Sequence, residues 1–353
     1  MSTPPPITRS QTLLVDWLGR GGIAQTTEAW AIVLAADGDS VDVVTRPNRE
    51  LGSGIVSVHP AALREGRLAA HRSVVATAVE KIRELRPSVV VVQNYVLPVL
   101  ERPVYAAARE VGARVVVVVH DHRLHTLAAG TRAGLRRELR RADLVVAHTH
   151  FVADGVAQWT GRTDVTVIPV PALVGMLVHA REPQPWTLSV GTAVAGHFGV
   201  LQRAYKGGSV VEDLARTGVE GWEFVAMGTG APEGVPGLHA FPGYASAGAL
   251  CGAVGASDVV LAPYRFATQS GIVVLGHVLG AVPVVSAVGG IPEQVDDGVD
   301  GLLLSPDAPL EAWRDALHVL RDPETRAAYA TAGEDRAWRD HAAFTIAIRE
   351  LVQ

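Results

Sequence analysis

The chain has 353 residues, of which 48% are apolar and 19% are charged, and its formal net charge is -5. This length favours two domains, and the composition excludes an intrinsically disordered chain. The net negative charge disfavours a general nucleic-acid-binding protein. Because Cys251 is the only cysteine, an intrachain disulfide and a cysteine-ligated metal cluster are excluded.

The N-terminal segment MSTPPPITRSQ lacks the positive-then-apolar pattern of a signal peptide. No apolar run reaches the roughly 20 residues of a membrane span, so we expect a cytoplasmic protein without one. Lys81 and Lys206 are the only lysines among the 31 lysine and arginine residues. In a chain that otherwise uses arginine, a lysine hints at a local need for a compact ammonium group.

Short β-branched runs alternate with helical stretches in the first half of the chain. Unbroken apolar strands with helices between them indicate a parallel sheet that is covered on both faces. The predicted strands lie near 12–17, 41–45, 88–93, 114–120, 143–147 and 165–169, and the predicted helices include 24–36 and 68–85.

The same alternation restarts after the polar, proline-containing segment 179–185. The sequence therefore predicts an α/β protein with two Rossmann-like, doubly wound parallel-sheet domains that face each other across a cleft. We place the first domain at 1–182, the second at 183–335, and a C-terminal helix that packs back towards the first domain at 336–353. Strands of the second domain are predicted near 196–201, 222–227, 238–241, 258–262, 282–287 and 301–304.

In such sheets ligands bind beyond the carboxyl ends of the strands, so the residues at these ends are the candidates for function. Gly21 and Gly22 follow the first strand. Two glycines let the backbone come close to a ligand, and the helix that follows would direct its free amides at an anion. The alternative is a tight turn that requires small residues.

Histidines gather after the fourth and fifth predicted strands. They match neither the HExxH nor the Cys/His-finger spacing, so we expect no metal site. His120 is instead the candidate for orienting a substrate or transferring a proton, with a strand-end cap as the alternative. Asn94, Tyr95 and Asp121 also follow strands and are candidate acceptor contacts. The histidines are His120, His122, His125, His148 and His150.

In the second domain, Arg203 and Lys206 directly precede a helix that is predicted to begin near Gly208. Two cations beside a helix N-terminus provide a binding site for a diphosphate, with an exposed turn as the alternative. The nearby GTGAPEG run has GxGxxxG spacing, and no acidic residue on a following strand completes a dinucleotide fingerprint. A nicotinamide enzyme is therefore disfavoured.

The segment PYRFATQSGIVVLG places a polar turn immediately before the helix predicted at 271–280. Backbone amides and a hydroxyl at the start of this helix would form a site for a phosphate. A second loop, GGIPEQ, precedes a helix that begins near Pro292, because proline suits a first helical turn. The candidate ligand-binding residues of the two loops are Thr268, Gln269, Ser270, Gly271 and Glu293.

Taken in order, the GG turn, the histidine after the fourth strand, YKG, GTGAP, ASDVVLAPY, LGAVPVV and GGIPEQVDDGVDGLLLSP resemble a family 4 glycosyltransferase, from about residue 12 to 335. The resemblance implies the two-domain GT-B architecture. It also implies transfer of a hexose-type sugar from a nucleotide-diphosphate donor to an acceptor hydroxyl, with retention of configuration. Cations and helix amides would stabilise the leaving group, so no cofactor and no metal are expected.

The resemblance assigns Lys206 to the leaving phosphate and His120 to the active-site histidine. The arginine that usually follows the first glycine of the phosphate-binding motif is Val200 here, and Arg203 is its candidate substitute. Gly21–Gly22 matches the phosphate-side glycines of the first domain.

Two departures concern a pair of glutamates that the family commonly carries with seven residues between them. Thr268 and Gly276 occupy their positions. Loss of the second glutamate removes a charged acceptor from the donor ribose, at a cost of about 1.5–3 kcal/mol if nothing replaces it. His277 and Glu293 are the candidate replacements. A glycine inside a helix also indicates that space is needed at residue 276.

Three functions therefore stay open. The first is an active transferase with a modified donor pocket. The second is a degenerate glycosyltransferase that binds or assists a partner subunit, and the third is a metal-dependent hydrolase built on the histidines.

Overall fold

The computed structural model describes residues 11–36, 38–47, 56–122, 129–179, 181–184, 186–187 and 191–352, without the side chains of 129–132. The leader 1–10 and His125 lie outside the described residues. The chain divides into two compact units, Met1–Ile168 with Ala343–Gln353, and Pro169–Ala342.

The first unit contains a seven-stranded parallel sheet in the order β3-β2-β1-β4-β5-β6-β7. Valine-rich strands such as VVVVQ are buried on both faces because helices cover the sheet from each side. The strands are β1 Gln11–Asp16, β2 Ser40–Thr45, β3 Ser57–Pro60, β4 Val89–Gln93, β5 Arg114–Val119, β6 Leu144–Ala147 and β7 Val165–Val167, and the helices are α1 Gly21–Ala36, α2 Arg67–Leu85, α3 Pro98–Glu110, α4 Ala129–Arg141 and α5 His150–Thr160.

The second unit contains a six-stranded parallel sheet in the order β10-β9-β8-β11-β12-β13. Short 3-10 helices occur at Ala204–Lys206 and Ile291–Glu293. The strands are β8 Ala193–Phe198, β9 Trp222–Gly228, β10 Leu238–Pro242, β11 Val259–Ala262, β12 Val282–Ser286 and β13 Leu302–Leu304, and the helices are α6 Val174–Leu177, α7 Gly208–Thr217, α8 Ala247–Gly255, α9 Gly271–Leu279, α10 Leu310–Val319 and α11 Pro323–Val352.

The two Rossmann-like parallel sheets confirm the predicted fold class, with two differences in the strands. The sequence missed β3, because SVHP is a partly exposed edge strand that pairs only with β2 and lacks an apolar run. The strand predicted at 196–201 instead ends at Phe198, because Gly199 has a φ of 115° and turns the chain.

The boundary between the units lies at Ile168/Pro169, before the predicted position at 182. Segment 169–182 enters the second unit because Leu173 and Met176 pack into its core. The C-terminal helix begins at Pro323 and not at 336, and its last residues belong to the first unit. None of the helices in the described ranges is both long enough and apolar enough to cross a bilayer.

Candidate functional site

The turn between β1 and α1 has an exposed backbone. The buried carboxylate of Asp16 accepts hydrogen bonds from the amides of Leu18 and Gly19 at 2.9 and 3.1 Å, and burial raises its pKa. Gly21 has a φ of 69°, which favours glycine. Among the described residues, no atom lies within 4 Å of a Cβ built at Gly21 or Gly22. The turn therefore has the open space that its predicted role requires.

His120 directly follows β5 and is 6% exposed. Its Nε2 lies 3.0 Å from the Oε1 of Gln93, and its ring centroid lies 5.0 Å from that of His148. Burial, and secondly His148, lowers the pKa of His120 well below its usual value. His148 in turn donates from Nδ1 to the carbonyl of Ile168 at 2.9 Å. His120 is therefore a neutral, oriented imidazole at the carboxyl edge of the sheet.

The three predicted acceptor contacts differ in their exposure and in their hydrogen bonds. Asn94 has a φ of 64°, and its backbone amide donates to Val118 at 2.7 Å. Tyr95 is 4% exposed and donates its hydroxyl to the carbonyl of Asp121 at 2.6 Å, and burial raises its pKa. Tyr95 thus fastens two loops together, which corrects its expected role as an acceptor contact. Asn94 and the partly exposed Asp121 remain candidates.

The described histidines do not converge on a metal site. The ring of His122 packs against Phe151, with 5.1 Å between centroids, and a Cβ at Gly155 would overlap it. His150 is exposed at the start of α5. Across the described part of the chain, no three His, Cys, Asp or Glu side chains are grouped to bind a metal ion.

In the second unit, the loop that carries Lys206 is fixed to the loop after β11. Gly207 has a φ of 69° and caps α7, and a Cβ there would overlap the carbonyl oxygen of Pro263. The amide of Arg265 donates to the carbonyl of Tyr205 at 2.8 Å. Backbone contacts on both sides of Lys206 therefore set its position.

The side chain of Lys206 lies over an aromatic ring. Its Nζ is 3.8 Å from the ring centroid of Tyr264, whose side chain is 1% exposed. Beneath the loop, His197 in β8 donates from Nδ1 to the carbonyl of Leu261 at 2.9 Å. Its Nε2 is buried without a hydrogen-bond partner among the described residues. Burial lowers the pKa of His197 to about 4, the hydrogen bond to Leu261 acts in the opposite direction, and the charge of Lys206 lowers the pKa to a smaller extent.

Arg203 does not share this fixed geometry. Its side chain is exposed, and the 3-10 helix begins after it. Val200, at the position of the family's arginine, is also exposed. Of the two predicted cations, only Lys206 therefore has a position set by packing.

The N-terminus of α9 is shaped by Gln294. Its Oε1 accepts from the amide of Ser270 at 2.7 Å, and its Nε2 donates to the carbonyl of Ser270 at 3.2 Å. The amide of Ser270, expected to contact the donor, is thus already bonded. The unbonded helical amides begin at Gly271, because the first intrahelical hydrogen bond runs from Val274 to Ser270.

The remaining donor candidates lie close to this helix start in sequence. Thr268 is 9% exposed and Gln269 is half-buried, both in the loop before α9. Glu293 ends a 3-10 helix, and its carbonyl accepts from Nη2 of Arg336 at 2.7 Å. The half-buried Glu293 side chain remains the candidate replacement for a ribose-binding carboxylate.

Two expectations about the middle of α9 are corrected. A Cβ at Gly276 would lie 3.1 Å from the carbonyl oxygen of Ala281 and 3.2 Å from Val260, so the glycine permits close packing and leaves no open space. His277 is buried, and its Nε2 lies 3.2 Å from the carbonyl of Asp300. Burial lowers the pKa of His277 to about 4. It is thus engaged within the core and cannot replace the ribose acceptor.

The glycines of the GTGAPEG run have structural roles. Gly228 has a φ of 138°, and a Cβ there would overlap the carbonyl of Gly199. A Cβ at Gly230 would lie 2.5 Å from Gln202. These glycines allow the loops after β8 and β9 to contact each other. This contact explains the glycine-rich run, which therefore need not bind a dinucleotide.

Sequence reasoning missed three residues that shape this unit. Gln294 carries no sequence signal, because only the fold brings it to Ser270. Tyr264 lies in an apolar segment just before Arg265, so the sequence predicts an ordinary core residue there. His197 gave the clearest missed signal, a polar side chain within the buried strand AVAGHF.

Residues 20–171 match the family model described as Glycosyltransferase Family 4, and residues 194–322 match the one described as Glycosyl transferases group 1. The chain carries two glycosyltransferase domains. Its parallel-sheet units match GT-B glycosyltransferase structures, at identities that show the fold alone. No curated protein matches this glycosyltransferase in sequence.

Three solved structures illustrate the likeness of this glycosyltransferase to GT-B proteins. Anabaena HepE in complex with UDP-glucose is 16% identical with a TM-score of 0.74, and 98% of each chain is covered. Sucrose-phosphate synthase from Thermosynechococcus elongatus is 15% identical with a TM-score of 0.76, over 97% of this chain and 98% of that one. A Rickettsia africae glycosyltransferase is 13% identical with a TM-score of 0.72, over 98% of each.

Proposed function

We propose that the protein transfers a hexose-type sugar from a nucleotide-diphosphate donor to an acceptor hydroxyl, with retention of configuration. The observation that carries this proposal is the fixed position of Lys206. Its loop is fastened to Pro263 and Arg265, and its ammonium lies on Tyr264. A chain that uses arginine almost everywhere has a lysine at the position where the matched family binds the leaving phosphate.

The chemical task is to stabilise negative charge on the departing diphosphate while positive charge develops on the sugar. Preorganised cations and amides perform this task without needing to reorganise during the reaction. Lys206 supplies the cation, and the first amides of α9, from Gly271 onwards, supply hydrogen-bond donors. Arg203 adds a second, mobile cation when its exposed side chain folds over the phosphate.

The other candidates have supporting roles in this proposal. Gly21 and Gly22 leave open space at the first unit's backbone for a phosphate of the donor. His120, held neutral, orients the sugar or the acceptor hydroxyl through hydrogen bonds, with Asn94 and Asp121 as acceptor contacts. Thr268, Gln269 and Glu293 contact the donor. No cofactor and no metal take part in the proposed reaction.

The first experiment is a thermal-shift screen with UDP, GDP, ADP and dTDP. A ligand at a hundred times its dissociation constant stabilises a protein by about 2.7 kcal/mol, which raises the melting temperature visibly. We expect one nucleotide to give the largest shift, and its sugar conjugates then to support transfer. Lys206→Ala should lower turnover at least about a hundredfold. Lys81→Ala removes the other lysine, which pairs with Glu84 on α2, and is the matched control.

A second candidate function is a degenerate transferase that serves as an accessory subunit. Gly276 is closely packed against its neighbours, and His277 is bonded to the carbonyl of Asp300. Both observations favour this function, because neither residue provides the missing ribose acceptor. If no nucleotide raises the melting temperature and no transfer is detected, the accessory role replaces the transferase proposal. If the Lys206→Ala variant keeps full transfer activity, the role of Lys206 at the leaving phosphate is overturned.

A further inference from the structure

Three arginines lie at one corner of the first unit. Arg20 lies between β1 and α1, Arg46 directly follows β2, and Arg67 is the first residue of α2, which follows β3. The sheet order β3-β2-β1 and the parallel pairing place the carboxyl ends of these three strands side by side. The loops also touch, since a Cβ at Gly19 would lie 3.1 Å from the Cβ of Arg46.

Among the described residues, no ion pair involves Arg20, Arg46 or Arg67. The ion pairs among the described residues involve other arginines. The Nε of Arg46 is buried without a hydrogen-bond partner in the described chain. Burial lowers the pKa of Arg46, and the like charges of Arg20 and Arg67 lower it further, while Asp16 acts in the opposite direction.

The N-termini of α1 and α2 lie beside these arginines. Neither α1 nor α2 has an acidic residue in its first turn, and the α2 cap, Gly66, has no side chain to accept a hydrogen bond. The N-terminus of a helix carries partial positive charge and is normally stabilised by an anion or a carboxylate. Here Arg20 precedes α1 and Arg67 begins α2. Positive side chains therefore lie beside the positive ends of both helices and repel them.

Space for a ligand adjoins the corner. A surface cavity of about 630 Å³ is lined by Arg64, Arg67 and Arg72 together with Gly66 and one carboxylate, Glu65. The corner therefore borders accessible volume at the start of α2.

We propose that this corner binds an anionic group of the acceptor, such as a phosphate, a sulfate or a carboxylate. The proposal rests on the proposed transferase function and narrows its acceptor class. Lys206, in the other unit, already serves the donor diphosphate, so the arginines of the first unit have a separate anion to bind. Arginine side chains and helix amides are the groups that proteins commonly use for such anions.

The test is calorimetric titration of the full chain with inorganic phosphate. Arg20→Gln and Arg67→Gln change exposed side chains and should leave the fold intact, and Arg46→Gln removes the central charge. We expect each substitution to weaken phosphate binding about tenfold. Arg137→Gln, an exposed arginine on α4, is the matched control and should bind phosphate as the wild type does.

Unchanged binding in all three variants, or an equal loss in Arg137→Gln, would overturn the site. Loss of all phosphate binding in Lys206→Ala would also overturn it, since the anion would then occupy the second unit. A second arm titrates UDP, GDP, ADP and dTDP. If the arginine variants lose nucleotide affinity in parallel, the corner binds the donor and the acceptor assignment is overturned. If the wild type binds no nucleotide while phosphate binding still depends on Arg46, the anion site stands and the transferase proposal fails.

Discussion

The ammonium of Lys206 lies 3.8 Å from the ring centroid of Tyr264. A cation this close to a buried aromatic face is attracted by the ring's electron density. The ring thus limits the conformations of a long, flexible side chain without a carboxylate that would compete with a phosphate. Tyr264 is therefore a positioning residue for Lys206 in the proposed reaction.

Substitution of Tyr264 tests this relationship. We expect Tyr264→Leu to weaken nucleoside diphosphate affinity by about 3- to 30-fold, because the cation–π attraction is lost. Tyr264→Phe retains the ring and should bind as the wild type does. Titration calorimetry measures both, and equal affinities in the Leu and Phe variants would show that the ring has no positioning role.

Gly207 and Gly208 form a matched pair. Gly207→Ala places a methyl group against the carbonyl of Pro263 at a positive φ, so we expect at least about 1–2 kcal/mol of destabilisation and loss of nucleotide binding. Gly208→Ala meets no described atom within 4 Å and should lie within about 1 kcal/mol of the wild type. Urea unfolding and thermal shift measure both. Similar stability and binding in the two variants would contradict the proposed fastening of the loop.

Gln294 should contribute strongly to stability. Gln294→Ala leaves the buried amide of Ser270 unpaired and removes one of the two hydrogen bonds to its carbonyl, so we expect a loss of about 1–3 kcal/mol in the free energy of unfolding. The control is Gln202→Ala, because that side chain is exposed in the same unit. A loss no larger than that of the control would show that water replaces both hydrogen bonds.

His197 should make stability depend on pH. Burial lowers its pKa to about 4 in the folded chain, whereas an unfolded histidine titrates near its usual 6.5. Between these values the unfolded state binds the proton and the folded state does not. The stability is therefore fully present above about pH 6.5 and falls as the pH drops towards 4, by up to about 1.4 kcal/mol per unit.

The variant His197→Asn should reduce this pH dependence in urea unfolding measured from pH 7 to pH 4.5, while the contributions of His120 and His277, whose pKa values burial also lowers, remain. His318→Asn changes an exposed histidine of the same unit and should retain the wild-type slope. A wild-type slope in the His197 variant would mean that the imidazole is already solvated or protonated in the folded state.

The fold was predictable because its signal is local. A buried parallel strand such as Val89–Gln93 requires a continuous apolar run, and the helices between such strands carry their own periodicity. The edge strand Ser57–Pro60 has neither burial nor an apolar run, so it left no trace in the sequence. Unit boundaries were less predictable, because the packing of Leu173 and Met176 depends on long-range contacts.

The candidate site was predictable only where backbone geometry determines residue type. Gly21 has a positive φ, a conformation that favours glycine, so the residue type itself marks this turn in the sequence. The use of the Ser270 amide by Gln294 and of the Tyr95 hydroxyl by Asp121 was not predictable. Those bonds join residues 24 and 26 positions apart, and many side chains in either loop could have made them.

Helix α11 starts in the second unit and ends in the first. Phe344, which is fully buried, meets the ring of Trp30 edge-on with 5.8 Å between centroids. During synthesis the ribosome therefore completes the whole second unit before it releases the C-terminal segment 343–353, which completes the first unit. A fragment ending at Ile168 lacks that segment, so its Trp30 ring has no contact with Phe344 until the C-terminal peptide is supplied in trans.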